Sequence, residues 1–479
     1  MTLANVRKRS PWRAAACLLI VSICAPVSHA APSPAAQAVA ITGVTIIDVE
    51  HARALGPRTV LIEAGRIAAI ATPRDARIPA DALRVDGRGR FLIPGLVDMH
   101  VHLFNTFSHR TPNDWTFPLF IAQGVTAVRE MNTNAAGIAV VDQWRREIGS
   151  GERIAPRILA AGIAVYGHSP GEAASDTDAA IRAGADFIKV FSEVPPAHWR
   201  AILEVAQARL VPVVGHVPAG VSLLDAAAAG QRSDEHLMQA YEACSSVETQ
   251  LMNERKGLEG DALIERRDAQ EARALDAFDA PRCARIGRKL AAAGQVQVPT
   301  LVLAHEESMR SDEVLSADPR WRYLRADERS RWQRALADPA AHADALAKKR
   351  WDVSRRIVST FHSTGVTILA GTDAPMPGVY PGFALQEELE LLVAAGLTPA
   401  QALHSATLAP AKFFGLSTMA GSVATGKIAD LVLLDADPLL DIRNTRRIDA
   451  VLLGGHLLRR SDLDALLETA ARAQREPSG

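Results

Sequence analysis

Residues 91–103 read FLIPGLVDMHVHL, an apolar run ending in two histidines one residue apart. In a β-strand successive side chains point to opposite faces, so Asp98, His100 and His102 would share one side of it. A carboxylate and two imidazoles at a strand end are donors suited to a divalent cation; without one they are polar residues closing a strand. Further along, Lys189 lies in ADFIKVF, His216 follows VPVVG, His236 follows RSDE and Asp373 follows VTILAGT. If these runs are neighbouring strands, four imidazoles, one carboxylate and one amine face a common pocket.

The scaffold that would bring them together is legible in outline. TAVREM, RILAAGI, DFIKVF, VPVVGHV, VQVPTLVL and VTILAGTD are apolar runs of strand length, most of them separated by Ala-rich helical stretches such as DAAIRAGA and WRAILEVAQARL. About eight strand-helix units over roughly 320 residues fit an α/β fold of the (β/α)8 TIM-barrel type, whose site lies at the C-terminal strand ends. A doubly wound open sheet is the other arrangement compatible with the pattern. Both chain ends carry short β-rich runs, AVAITGVTIIDVE and RTVLIEAGRIAAI near one and IADLVLLDADPLLD and IDAVLLGGHLL near the other. They predict one small β-sandwich built from residues 31–93 and 419–465, flanking a barrel over 94–418 and followed by a tail over 466–479. Within the barrel, residues from about 240 to 350, rich in Arg, Asp, Glu and Ala, read as a helical insertion. In LTPAQALHSATL, Thr398, Pro399 and Gln401 make a capping box that starts a helix, and His404 on it reads as a packing or surface residue.

Composition narrows the partner. The chain has 479 residues, 48% of them hydrophobic and 22% charged, with a net charge of −1. No global field draws such a chain to nucleic acid or anionic lipid, so a small molecule or short peptide is the expected partner. Arg7, Lys8, Arg9 and Arg13 precede the apolar stretch AAACLLIVSICAPV and the small residues SHA. This is the pattern of a signal peptide over 1–30 cleaved after Ala30, which predicts a periplasmic or secreted protein. A lipoprotein at Cys24 fits less well, because Ile23 stands where a small residue is usual. The apolar stretch is too short for a membrane span, and no other candidate exists. Of four cysteines, Cys244 and Cys283 remain after cleavage, as a disulfide or as two buried thiols.

The ordered set PGLVDMHVHL, GVTAVREM, IKV, GHV, SDEH, GTD and GSVATGKIADLVLLDADPL resembles the metal-dependent amidohydrolase superfamily, in particular its secreted Xaa-Pro dipeptidase-like and imidazolonepropionase-related branch. The resemblance covers essentially all of residues 38–465. It implies two divalent metal ions, zinc by the branch's habit, and hydrolysis of an amide C–N bond in a peptide, N-acyl amino acid or cyclic amide. It also implies that His100 and His102 hold the first metal with Asp373, that His216 and His236 hold the second, and that Lys189 bridges both as a CO2-derived carbamate. Asp373 would be the catalytic residue, taking a proton from metal-activated hydroxide and passing it to the leaving nitrogen. Residue chemistry agrees: a buried lysine with a lowered pKa can react with CO2 as the neutral amine.

Asp98 is expected to orient the histidines from behind. Tyr166 and His168 in VYGHSP, Arg129 in VREM and His305 after VPTLVLA are candidate substrate contacts. No H-E-x-x-H helix or phosphate-binding loop competes with this reading. The alternatives it leaves are hydrolysis of a lactone or phosphotriester at the same centre, or a non-catalytic periplasmic binding protein. A homo-oligomer is compatible with all of them.

Overall fold

The computed structural model describes residues 37–105, 111–309, 317–337 and 345–474; the expected signal peptide and the end of the expected tail lie outside them. The N-terminal β-rich segment forms β1 (Val39–Asp48), β2 (Arg53–Glu63), β3 (Arg66–Ala71), β4 (Leu83–Asp86) and β5 (Phe91–Pro94). The middle of the chain supplies β6 (Leu96–Val101), β7 (Val125–Thr133), β8 (Arg157–Ala164), β9 (Phe187–Val190), β10 (Val213–Gly215), β11 (Ser233–Glu235) and β12 (Val296–Val298). Near the C-terminus lie β13 (Leu431–Leu434), β14 (Ile448–Leu453) and β15 (His456–Arg459).

Strands from both chain ends share one eight-stranded sheet, in the order β15-β14-β13-β5-β1-β2-β3, with β4 paired to β1. The period of two along these strands divides their side chains between two cores. Leu431 and Leu433 of β13 join Val44, Ile46, Val60 and Leu452 in a core of the sheet's own. Val432 and Leu434, on the opposite face, join Ile93, Ile448 and Val451 in the large core shared with the central α/β body.

That body is a mixed α/β fold with a parallel half-barrel sheet, β10-β9-β8-β7-β6. Helices follow the strands: Ala135–Ser150 after β7, Pro170–Arg182 after β8, Pro196–Ala208 after β9 and Leu223–Ala228 after β10. Their starts are written in the sequence, since Asn134, Ser169 and Ser222 each accept a backbone N–H of the first turn. Because helices cover the outer face, the parallel strands are buried on both sides; all nine residues of β7 are buried.

Beyond β10 the backbone hydrogen bonds continue. Arg232 N donates to Val213 O at 2.8 Å, and β11 pairs with β12 in parallel. Gln297 N of β12 donates to Thr367 O at 3.0 Å, and Met99 N of β6 to Ala370 O at 3.0 Å. The VTILAGTD segment thus lies between β12 and β6, but it is not the regular strand its sequence predicts. It makes isolated bridges only, at Ile368 and Ala374. The reason is local: Gly371 lies so close to its neighbours that a Cβ there would come 2.6 Å from Val298 and 3.0 Å from the His100 nitrogen, and Asp373 turns into the left-handed region at φ 66°.

Two further differences from the sequence reading have simple causes. The stretch from 240 to 350 is not one insertion, because β12 divides it, formed by the VQV of the predicted VQVPTLVL strand while its LVL opens a helix; helices Met238–Ala243, Glu248–Glu254, Gly260–Asp276 and Ala280–Ala293 precede that strand, and Leu301–Met309, Ala326–Ala337 and Ala345–Ser363 follow it. The segment read as a tail contains most of the helix Arg460–Ala473, whose Ala470 and Ala471 pack with Leu119 and Tyr323. Cys244 and Cys283 form a disulfide. The capping box of Thr398 and Gln401 forms as its residues predict. Among the described residues no helix is long and apolar enough to cross a membrane.

Candidate metal centre

At the C-terminal end of β6 the period of two places His100 and His102 on the same side, and the Asp373 turn comes up against them. Asp373 Oδ1 lies 3.0 Å from His100 Nε2 and 2.9 Å from His102 Nε2, and all three residues are buried. Their candidate ligand atoms lie within 4.8 Å of one another. Burial pushes the His102 imidazole down to about 4, so it is a neutral nitrogen donor at physiological pH. Burial alone would raise Asp373, but the fields of His100 and His236 and the hydrogen bond from His102 hold its carboxyl well below the usual carboxylate range.

The far side of His100 decides which of its nitrogens is free. Its Nδ1 lies 3.0 Å from Glu235 Oε2, and Glu235 is itself gripped by Arg129, whose Nη2 donates to both carboxylate oxygens at 2.9 Å, and by the Ser233 hydroxyl. Burial opposes the charge on Glu235, but Arg129 and His100 keep it ionised, so it can only accept. His100 therefore donates from Nδ1, and its neutral form presents a lone pair at Nε2 toward the Asp373 carboxylate. Nε2 makes no hydrogen bond of normal geometry, and neither does His102 Nδ1. Two acceptors facing each other at 3.0 Å in a buried site need a proton or a cation between them. The donor set fits a divalent metal ion.

His236 and His216 stand beside this trio. The His236 ring is 4.6 Å from that of His100 and 5.0 Å from that of His216. Thr300 Oγ1 holds His236 Nδ1 at 2.8 Å and Ser192 Oγ holds His216 Nδ1 at 3.3 Å, fixing both rings. Burial lowers His236 to about 3 and His216 well below its ordinary value, so both are neutral donors. Lys189 is buried on β9, with its ammonium 4.8 Å from the centre of the Phe191 ring. Desolvation brings it down to about 8. Room for its stem comes from Gly215, where a Cβ would meet Lys189 Cδ at 2.8 Å and Val190 O at 2.4 Å, at φ 115°. Four non-glycine residues around the centre, His236, Leu237, Thr300 and Asp373, have φ between 45° and 66°. Strain of about 1 to 3 kcal/mol at each such residue is tolerated where the surroundings fix a functional geometry.

The remaining candidates separate. Asp98 does not touch the imidazoles; it accepts the His100 backbone N–H at 3.2 Å and the Thr372 N–H and hydroxyl at 3.1 and 2.7 Å, tying β6 to the Asp373 turn. Arg129 is not placed to meet substrate, because its guanidinium is buried and committed to Glu235 and the Met99 carbonyl. Tyr166 stacks at 5.5 Å on Phe191, which meets His216 edge-on at 4.9 Å, so it borders the centre while remaining exposed. His168 is exposed, its backbone N–H on Glu172. His305 packs edge-on against Trp351 at 4.9 Å, in the helix Leu301–Met309.

Glu235, Ser192 and Thr300 escaped the sequence reading. Glu235 had a signal, since SDE is a run of polar residues where an interior strand should be apolar, and all three are buried. Ser192 and Thr300 had none, because a hydroxyl in a loop is ordinary.

Comparisons with known proteins agree with this architecture. Residues 338–458 match the model of the amidohydrolase family. Adenine deaminase 2 of Jannaschia sp. (strain CCS1) is 40% identical over 60 residues, 12% of this chain and only 10% of the deaminase's length. A protein from Bifidobacterium longum assigned as a prolidase superimposes with a TM-score of 0.63 at 25% identity, covering 91% of this chain and all of that one. A bottromycin amidohydrolase superimposes with a TM-score of 0.68 at 24% identity, over 91% of this chain and 90% of its own, a likeness of fold.

Proposed function

The chain belongs to the metal-dependent amidohydrolase superfamily, and we propose that it is an exported hydrolase that opens an amide C–N bond in a peptide, N-acyl amino acid or cyclic amide at a centre holding two zinc ions. Its architecture is read as a (β/α)8 barrel carrying a small β-sandwich made by both chain ends. The observation that carries the proposal is the convergence of His100 Nε2, His102 Nε2 and the ionised Asp373 on one buried point, with the proton of His100 directed away to Glu235.

His100, His102 and Asp373 would hold one ion, His216 and His236 the other, with Lys189 between them. Burial that lowers Lys189 to about 8 leaves roughly a tenth of it as free amine at neutral pH, which can add CO2 and lose a proton to become a carbamate that would serve as an anionic ligand. When bound, the metals supply Lewis acidity to the scissile carbonyl and bring the pKa of water from 15.7 toward about 7. Asp373, held ionised, takes a proton from the attacking water through a carboxylate oxygen and delivers it to the departing nitrogen. Attack forms the new C–O bond and a tetrahedral carbon, and the C–N bond breaks when that carbon collapses and the departing nitrogen receives the proton. Glu235 and Arg129 keep His100 in the tautomer that leaves Nε2 unprotonated.

The reading is tested by screening dipeptides, N-acyl amino acids and cyclic amides. Hydrolysis of at least one class should vanish with a chelator and return with zinc. Asp373→Asn should lower kcat by about 100-fold or more, the range of lost acid-base catalysis. Chelator-resistant hydrolysis, or full activity in that variant, contradicts it.

A further inference from the structure

Beside the proposed metal residues lies a cavity of about 410 Å³ that opens on His236 and Thr300. It is built by four helices, Met238–Ala243, Gly260–Asp276, Leu301–Met309 and Ala345–Ser363, packed beyond the ends of β11 and β12. Ligand cavities of α/β folds form at such strand ends, and this volume suits a small organic group.

The walls are of two kinds. Part of the lining is apolar, with Met238, Leu303 and Leu346. Another part holds Arg350 between two carboxylates: its Nε and Nη2 donate to Glu271 at 2.7 and 2.8 Å, and its Nη1 to Glu307 at 3.0 Å. One guanidinium facing two carboxylates is over-neutralised. The other charged walls do not restore the balance, because Arg267 pairs with Asp268 and Glu242 is matched by Arg255 behind it. Four carboxylates against three guanidiniums leave the cavity one net negative charge. Arg350, the residue best placed by type to grip a substrate carboxylate, is already spoken for by Glu271 and Glu307.

We propose that this cavity receives a substrate side chain with an aliphatic stem and a cationic tip, of the lysine or arginine type, its stem along Met238, Leu303 and Leu346 and its charge against Glu271 and Glu307. This assignment rests on the amide-hydrolase reading of the adjoining centre and adds to it the substrate's charge. The helices that follow β11 and β12 then carry the specificity while the strands carry the chemistry.

The test uses the full zinc-loaded protein and two pairs of probes. Calorimetric titration compares L-argininamide with L-citrullinamide, which has nearly the same shape without the charge and the same chelating end. Hydrolysis is compared on dipeptides that differ only by arginine or citrulline, at either position. The cationic member of each pair should win by about tenfold or more, and Glu307→Gln, which leaves Arg350 held by Glu271, should shrink that margin to about threefold or less. Ala304→Phe, which fills the cavity by volume alone, should lower kcat/KM for arginine dipeptides about tenfold relative to alanine dipeptides. Equal binding of the two amides, or a preference for citrulline, overturns the assignment. Cleavage of both dipeptides without a charge preference overturns the cavity assignment and leaves the amide-hydrolase reading standing. Charge-selective binding with no cleavage of any amide does the reverse.

Discussion

Glu235→Gln separates what the His100–Glu235–Arg129 chain does for stability from what it does for the metal site. In the wild type Glu235 is fully buried, accepts from His100 Nδ1 at 3.0 Å and receives Arg129 Nη2 on both oxygens at 2.9 Å. Glutamine keeps the shape but carries no charge and turns one acceptor into an NH2 donor, which must face either His100 or the Arg129 guanidinium and the Ser233 hydroxyl. Arg129 is left as a buried cation without its counter-charge, a loss of about 3 to 5 kcal/mol when a buried pair is broken. If the amide turns its NH2 toward His100, the imidazole proton must move to Nε2, the nitrogen that faces Asp373. Losing a group that orients a metal ligand weakens metal affinity by about 10- to 100-fold. Denaturant unfolding of the metal-free protein reads the first effect and competition against a zinc-sensitive dye reads the second. The double variant Glu235→Gln/Arg129→Met should regain most of the stability, since the orphan charge is gone, but not the affinity. Unchanged zinc affinity in Glu235→Gln, or affinity restored by Arg129→Met, would refute the claim that Glu235 sets the His100 tautomer.

Two further outcomes follow from the structure. The Cys244–Cys283 disulfide closes a loop with a sequence separation of 39; on the chain-entropy model Cys244→Ser/Cys283→Ser lowers unfolding free energy by about 4 kcal/mol, and an unchanged denaturation midpoint would contradict this. Glu388 is buried, accepts the Val302 N–H at 2.7 Å and is raised by burial from 4.5 to about 8. A carboxyl raised on folding binds its proton more tightly in the native state, so its contribution is fully present below 4.5 and lost as pH rises through 8. Stability of the metal-free chain should therefore fall from pH 5 to pH 8 with a slope that Glu388→Gln reduces, and an equal slope in both proteins would refute the assignment.

Much of the site was legible because strand ends leave a simple signature. His100 and His102 alternate on one face of a strand, and burial of that face makes a histidine there conspicuous. Lys189 in an otherwise apolar FIKV and His216 after VVG are polar residues at the ends of buried runs, visible for the same reason. Arg129 was misjudged because its partner was hidden: Glu235 is 106 residues away, and nothing in a sequence reports a pairing at that distance. The VTILAGTD segment read as a strand by its apolar residues, yet Gly371 and the positive φ of Asp373 give up ladder geometry to bring a carboxylate over β6. The long helical stretch after residue 240 was recognisable by composition, and the VQVPTLVL run that holds β12 was read as a strand, though not as one that divides the stretch. The Arg460–Ala473 helix was missed in part because the cover of its end, Leu119 and Tyr323 over Ala470 and Ala471, comes from residues distant in the chain.

The most direct test of the central claim is a metal count. The full chain, grown with zinc and bicarbonate and gel-filtered, is analysed by elemental mass spectrometry beside Lys189→Ala. Close to two zinc ions per chain are expected, falling to one or none in the variant. One metal at most in the wild type, with Lys189→Ala unchanged, would contradict the binuclear centre and leave Lys189 as a buried amine of the β9 strand.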